Sequence, residues 1–191
     1  MLKLKGSLKV SGDKSISHRA LILSSMSIGI TKITNLLESD DVMRTMKILK
    51  ELGIKIIRKN NYWLVYGNGT NGFIEPTKPL NCGNSGTTAR LMIGAVSSNP
   101  INCTFIGDES LSRRSMSRVT KHLTKIGADV HITKKDYLPL IISGNEELLP
   151  LTHNIQKASA QIKSALILSA LNIHGKTRII ENTPTRDHTE R

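Results

Sequence analysis

Three stretches of the chain begin with small or hydroxyl residues that could gather an anion. They are Ser15 and Ser17 in the first, Ser85, Gly86, Thr87 and Thr88 in the second, and Ser159 in the third. Each opens a stretch that reads as a helix. A helix start carries unpaired N–H groups and about half a positive charge. Small residues let an anion approach the backbone, and hydroxyls add donors. Cations accompany these starts: Lys14 and Arg19 at the first, Arg113 and Arg114 not far beyond the second. Taken singly, such serines are caps and such cations are solvated charges. Their recurrence in one chain points to a shared polyanion site, provided the three helix ends converge.

The elements that must position them form an internal repeat. Thr31, Thr104 and Thr177 are evenly spaced, and Ile33, Ile106 and Ile179 keep the same interval. These pairs lie in GITKITN, INCTFIG and GKTRIIE, whose alternation reads as strand. A helical stretch precedes each: from Lys14, from Asn84 and from Lys157. A second helix follows the strand over 41–52 and over 114–126. Met43, Met46, Leu49 and Leu52 hold helical spacing, with Gly53 and Gly127 as stops. Two strands close each unit. The unit is therefore βαβαββ, with copies over about 11–75 and 76–148 and an incomplete third over 149–191. A repeat lacking its second helix and last strands leaves strand edges uncovered, so the chain is expected to be part of something longer.

Composition narrows the function classes. Aromatics make up 3% of 191 residues, so the core must come from Ile, Leu, Val, Met and Ala. No apolar run is long enough for a membrane span, and the N-terminus lacks a signal-peptide core. Cys82 and Cys103 have no metal-ligand spacing, so no structural metal is expected and a cytoplasmic location is the default. The net charge of +12 requires anionic partners or a basic surface. The cations are dispersed and few aromatics are on hand for base stacking, which favours small anions over nucleic acid.

The motifs resemble those of the EPSP synthase family. Gly12-Asp13-Lys14-Ser15-Ile16-Ser17-His18-Arg19-Ala20 is similar to its GDKSxSHRA start, and Gly83-Asn84-Ser85-Gly86-Thr87-Thr88-Ala89-Arg90-Leu91 to its GNSGTxxRL loop. The stretch from Gly107 to Met116 is similar to GDxSLxxRPM, with Ser115 in place of the proline. The stretches from Ala158 to Ala165 and from Thr185 to Glu190 are similar to ASAQVKSA and TRDHTE. The five occur in family order and span nearly the whole chain.

The resemblance implies an inverse α/β barrel of repeated βαβαββ units in pseudo-threefold arrangement, with residues 1–10 forming a strand of the other globular domain and 11–191 one domain. It implies enolpyruvyl transfer from phosphoenolpyruvate to shikimate 3-phosphate, without metal or organic cofactor. It assigns catalysis to Lys14, Arg114 and Gln161. Shikimate 3-phosphate falls to Lys14, Ser15, Arg19, Ser159, Ala160, Gln161 and Arg186. Phosphoenolpyruvate falls to Lys14, Asn84, Gly86, Thr87, Arg114 and Gln161, with Arg114 on its phosphate or carboxylate. The remaining partner is the C-terminal half of the enzyme, and the full-length form is expected to be monomeric. The related UDP-N-acetylglucosamine enolpyruvyl transferases carry Lys-Asn where this chain has Lys14-Ser15, and a Cys in the loop that Gly107 to Arg114 lacks. A basic nucleic-acid-binding module and a non-catalytic repeat scaffold are the other readings.

Overall fold

Apolar residues at helical and at alternating spacing form six helices and nine strands in the computed structural model, which describes residues 5–134 and 136–191. The first unit runs α1 (Lys14–Ser25), β1 (Ile28–Thr34), α2 (Asp40–Glu51), β2 (Lys55–Arg58) and β3 (Tyr62–Asn68). The second runs β4 (Leu80–Asn81), α3 (Gly86–Ser97), β5 (Asn102–Ile106), α4 (Glu109–Ser112), α5 (Ser117–Lys125), β6 (Asp129–Lys134) and β7 (Tyr137–Ser143). The third holds β8 (Thr152–Ile155), α6 (Ala160–Ala170) and β9 (Arg178–Glu181).

The sheets repeat one another. β1 and β2 flank β3, all antiparallel. In the second unit β5 and β6 flank β7 in the same way, and β4 adds to β5 in parallel. β8 and β9 reproduce that parallel pair. In the first unit β1 has no parallel neighbour among the described residues. Residues 5–13 form no strand, and Leu8 and Val10 are largely exposed. A strand needs a partner for its backbone groups, and no described segment pairs with these residues. The rest of the expected strand, residues 1–4, lies outside the described residues.

Helices lie inside and sheets outside. α3 is buried on nearly every side, including Leu91, Met92, Ile93 and Val96. It packs closely on α6, and Gly94 makes that approach possible. A Cβ there would stand 2.3 Å from the Ala165 carbonyl oxygen. The core is aliphatic, as the scarcity of aromatics requires, with Trp63, Phe73 and Phe105 as its large exceptions. Gly53 and Gly127 end α2 and α5 with φ of 87° and 97°, a conformation that favours glycine.

One expected helix starts late, and a turn that was not expected lies ahead of it. The helix read over 114–126 starts at Ser117, and a separate turn, α4, precedes it. Asp108 caps that turn by accepting from the Leu111 amide at 2.8 Å. Ser115 Oγ then accepts from the Ser117 amide at 3.1 Å, starting a new helix. The expected helix thus loses its first three residues, because the turn that Ser115 makes just ahead of Ser117 holds the chain out of it.

Candidate functional site

The starts of α1, α3 and α6 are built by the same device. Asp13, Ser85 and Ser159 each accept a hydrogen bond from the third amide onward: Ile16, Thr88 and Ile162. Each cap fixes the entry direction of the chain, and at α3 the Gly86 amide also turns back to the Asn84 carbonyl oxygen at 3.1 Å.

Side chains connect these ends into a closed circuit. Lys14 Nζ lies 2.9 Å from Asp41 Oδ2 at the start of α2. The Asp41 carbonyl accepts from Thr88 Oγ1 in α3 at 3.1 Å. The next residue back, Thr87, accepts from Gln161 Nε2 in α6 at 2.9 Å, and Gln161 Oε1 accepts from Arg90 Nη1 at 3.1 Å. One turn along α6, Ser164 Oγ accepts from Arg19 Nη2 at 2.6 Å, and Arg19 Nη1 donates back to the Ser15 carbonyl at 3.0 Å. The three helix ends therefore meet at one face of the molecule.

That face is cationic. Burial lowers the pKa of Arg19 from its ordinary value, and the neighbouring Arg186 guanidinium lowers it further. Burial acts likewise on Arg90, reinforced by Arg114 and Arg118. Both arginines remain charged at neutral pH, so Arg19 is repelled by Arg186, and Arg90 by Arg114 and Arg118. A polyanion placed among them relieves that repulsion. Beneath, Lys163 pairs with Glu181 Oε2 and Glu190 Oε1, both at 2.6 Å, with its side chain only 8% exposed. Burial alone lowers the Lys163 pKa, but hydrogen bonds to the two carboxylates outweigh it and the net direction is up. For Glu181 burial pulls upward, and the bonds from Lys163 and Thr185 overcome it to leave the carboxyl low. This cluster ties the chain end to α6. It places Thr189 where its hydroxyl accepts from Arg19 Nε at 2.7 Å.

The residues singled out in the sequence differ in where they stand. Lys14, Ser15, Asn84, Gly86, Thr87, Ser159, Ala160 and Gln161 stand at the converging helix ends. Arg114 reaches them from the α4–α5 loop, donating to Asn84 Oδ1 at 2.9 Å and to Ser110 Oγ at 3.1 Å. Arg19 is more buried than a surface cation, at 4% exposure, and its guanidinium braces Ser15, Ser164 and Thr189. Arg186 is exposed and makes no hydrogen bond or ion pair among the described residues, yet it bears electrostatically on Arg19 and Asp13. Arg113 turns away to pair with Glu109.

Other residues belong here that sequence reasoning left unassigned. Arg90 lies inside the quoted loop motif, one helical turn after Gly86, and that spacing was the available signal. A Cβ on Gly86 would come within 2.6 Å of Arg90 Nη1. Asp41 sits in the acidic pair that opens α2. Lys163 gave no separate signal, because its partners Glu181 and Glu190 come from later in the chain. Lys14 is the half-exposed amine of the site, able to carry a proton as well as a charge. The arrangement is thus suited to holding two anions beside a single movable ammonium. Among the described residues no group of His, Cys, Asp and Glu is arranged to hold a metal ion, and no helix is long and apolar enough to cross a membrane.

Comparison with known proteins supplies the context. The family profile described as EPSP synthase (3-phosphoshikimate 1-carboxyvinyltransferase) matches residues 1–191. A curated relative from Parvibaculum lavamentivorans, named 3-phosphoshikimate 1-carboxyvinyltransferase, is 51% identical over 189 residues, covering 98% of this chain and 42% of its own. One of the same name from Leuconostoc citreum is 46% identical over 188 residues, covering 98% and 44%. The solved EPSP synthase from Acinetobacter baumannii superposes with a TM-score of 0.93 at 37% identity, over 97% of this chain and 42% of that one. The chain therefore spans under half the length of the relatives it matches.

Proposed function

The chain belongs to the EPSP synthase family, and from that premise we propose that it supplies the shikimate 3-phosphate-binding half of an enolpyruvyl transferase. The observation that carries this reading is the circuit joining three helix starts, with Lys14, Arg19, Arg90 and Arg114 around it. Both substrates are polyanions, and holding them side by side turns a bimolecular addition into an intramolecular one.

In this reading Ser159, Ala160 and Gln161 hold the phosphate and ring of shikimate 3-phosphate, with Arg186 closing on the phosphate. Ser15 and Arg19 take its carboxylate, which shares the guanidinium now bonded to Ser164 and Thr189. Phosphoenolpyruvate lies over Asn84, Gly86 and Thr87, against Arg114 and Lys14. Gln161 touches both substrates. The 5-hydroxyl oxygen gives up its proton and bonds to C2 of phosphoenolpyruvate while C3 gains a proton. The C2–O bond to phosphate then breaks and C3 loses a proton, restoring the double bond in the product. The chemistry calls for proton transfer beside fixed positive charge, which Lys14 and the arginines provide. The rest of the enzyme closes over this face and completes the site, in the cytoplasm.

Calorimetry of this chain with shikimate 3-phosphate and with shikimate tests the reading. Binding that requires the phosphate and falls at least tenfold in Lys14→Ala and Arg19→Ala is expected, with no turnover until the remaining half is added. Equal affinity for shikimate, or salt-dependent binding to random DNA without shikimate 3-phosphate binding, overturns it.

A further inference from the structure

His18 makes none of the contacts described above, yet it is fully buried between the α1 residues Ser17 and Arg19. Its Nδ1 lies 2.7 Å from Thr45 Oγ1 in α2, and Thr45 Oγ1 lies 2.8 Å from Thr88 Oγ1 in α3. Thr88 Oγ1 in turn lies 2.7 Å from Ser85 Oγ and 3.1 Å from the Asp41 carbonyl oxygen. None of the four side chains is more than 1% exposed. The chain of bonds thus links α1 to α2, α2 to α3, and α3 back to the start of α2.

Proton counting fixes its direction. Each hydroxyl has one proton to give. Thr88 gives its proton to the Asp41 carbonyl or to Ser85, and in either case has none left for Thr45. Thr45 must therefore donate to Thr88, and so cannot donate to His18. The remaining donor for the first contact is the imidazole, through Nδ1–H. His18 Nε2 is left as a buried acceptor without a partner among the described residues. An unpaired acceptor costs less than an unpaired buried N–H, which is the state the other tautomer would create.

We propose that His18, held as the Nδ1–H tautomer, is a positioning residue that sets α2 and α3 against α1 through a one-way relay of hydrogen bonds. Thr88 thus joins two residues of the site: Asp41, whose carboxylate holds Lys14, and Ser85, which caps the helix carrying Gly86 and Thr87. The relay therefore sets the distance between the two halves of the anion site, and in this it rests on the function proposed above. Burial keeps the ring neutral, with its pKa down to about 4, so the relay is uncharged at neutral pH.

Two measurements test this. Nitrogen-15 spectra of the imidazole rings in the unmodified chain should show His18 protonated at Nδ1 and bare at Nε2; a proton on Nε2 alone overturns the relay. Calorimetry with shikimate 3-phosphate should show His18→Asn within about threefold of the unmodified chain, because the amide nitrogen can stand where Nδ1 stands. His18→Leu and Thr45→Val should each weaken binding about tenfold while remaining folded. If folded Thr45→Val binds as the unmodified chain does, the positioning role is refuted. Thr45→Val is nearly isosteric and carries the test even if His18→Leu does not fold. Absence of shikimate 3-phosphate binding by the unmodified chain refutes the functional reading and the positioning role with it, whereas the ring spectra still decide the direction of the relay.

Discussion

At the scale of single residues, the site depends on guanidinium groups that do two things at once. Arg90 stands against the space beside Gly86 and also fixes Gln161, so the absence of a side chain at Gly86 sets where Arg90 rests. Gly86→Ala should push the guanidinium off Gln161. The obstacle is the mobile end of a side chain, so folding stability should change by under ~1 kcal/mol. In the full-length enzyme the Michaelis constant for phosphoenolpyruvate should rise about tenfold, with that for shikimate 3-phosphate little changed. Steady-state kinetics with each substrate varied in turn distinguishes this from a general loss of structure.

At the scale of elements, the closest helix contact controls where the helix starts lie. α3 and α6 touch backbone to backbone at Gly94 and Ala165, and Ser97 Oγ meets Ser169 Oγ at 2.9 Å further along the same seam. Gly94→Ala forces the helices apart, because backbone cannot swing aside as a side chain does. The expected loss is about 2–3 kcal/mol, read as a lower urea midpoint. The same displacement should separate Gln161 from Thr87 and weaken shikimate 3-phosphate binding. Full stability in Gly94→Ala would mean that the helices pack less tightly than described.

At the scale of the whole molecule, buried titrating groups set an acid limit. His18 and His153 are both held to about 4, each by burial first; for His153, His122 and Lys125 add to it. A histidine depressed in the folded state stabilises the fold above its unfolded pKa of about 6.5. That contribution is lost as pH falls toward 4, because the unfolded chain then binds more protons. Glu181, held low, adds a loss below its ordinary value of 4.5, whereas Lys163, held high, contributes until pH rises beyond 10.5. Thermal unfolding followed from pH 7 to pH 4 should show a continuous fall in midpoint. His153→Gln should flatten the upper part of that slope. A flat profile between pH 6.5 and 4.5 in the unmodified chain would contradict neutral burial of both rings.

Sequence alone determined most of the elements and their order, because apolar spacing and caps are local quantities. The repeat was legible through Thr31, Thr104 and Thr177, and the helix starts through Ser15, Ser85 and Ser159. The helix read over 114–126 began three residues too early, since periodicity does not register the turn that Ser115 imposes ahead of Ser117. Tertiary structure alone decided that Gln161 reaches Thr87, that Arg19 lies buried against Ser164 and Thr189, and that Arg113 faces away while Arg114 faces in. Those contacts join residues far apart along the chain. Their distances follow from how α1, α3 and α6 pack, which no local pattern encodes.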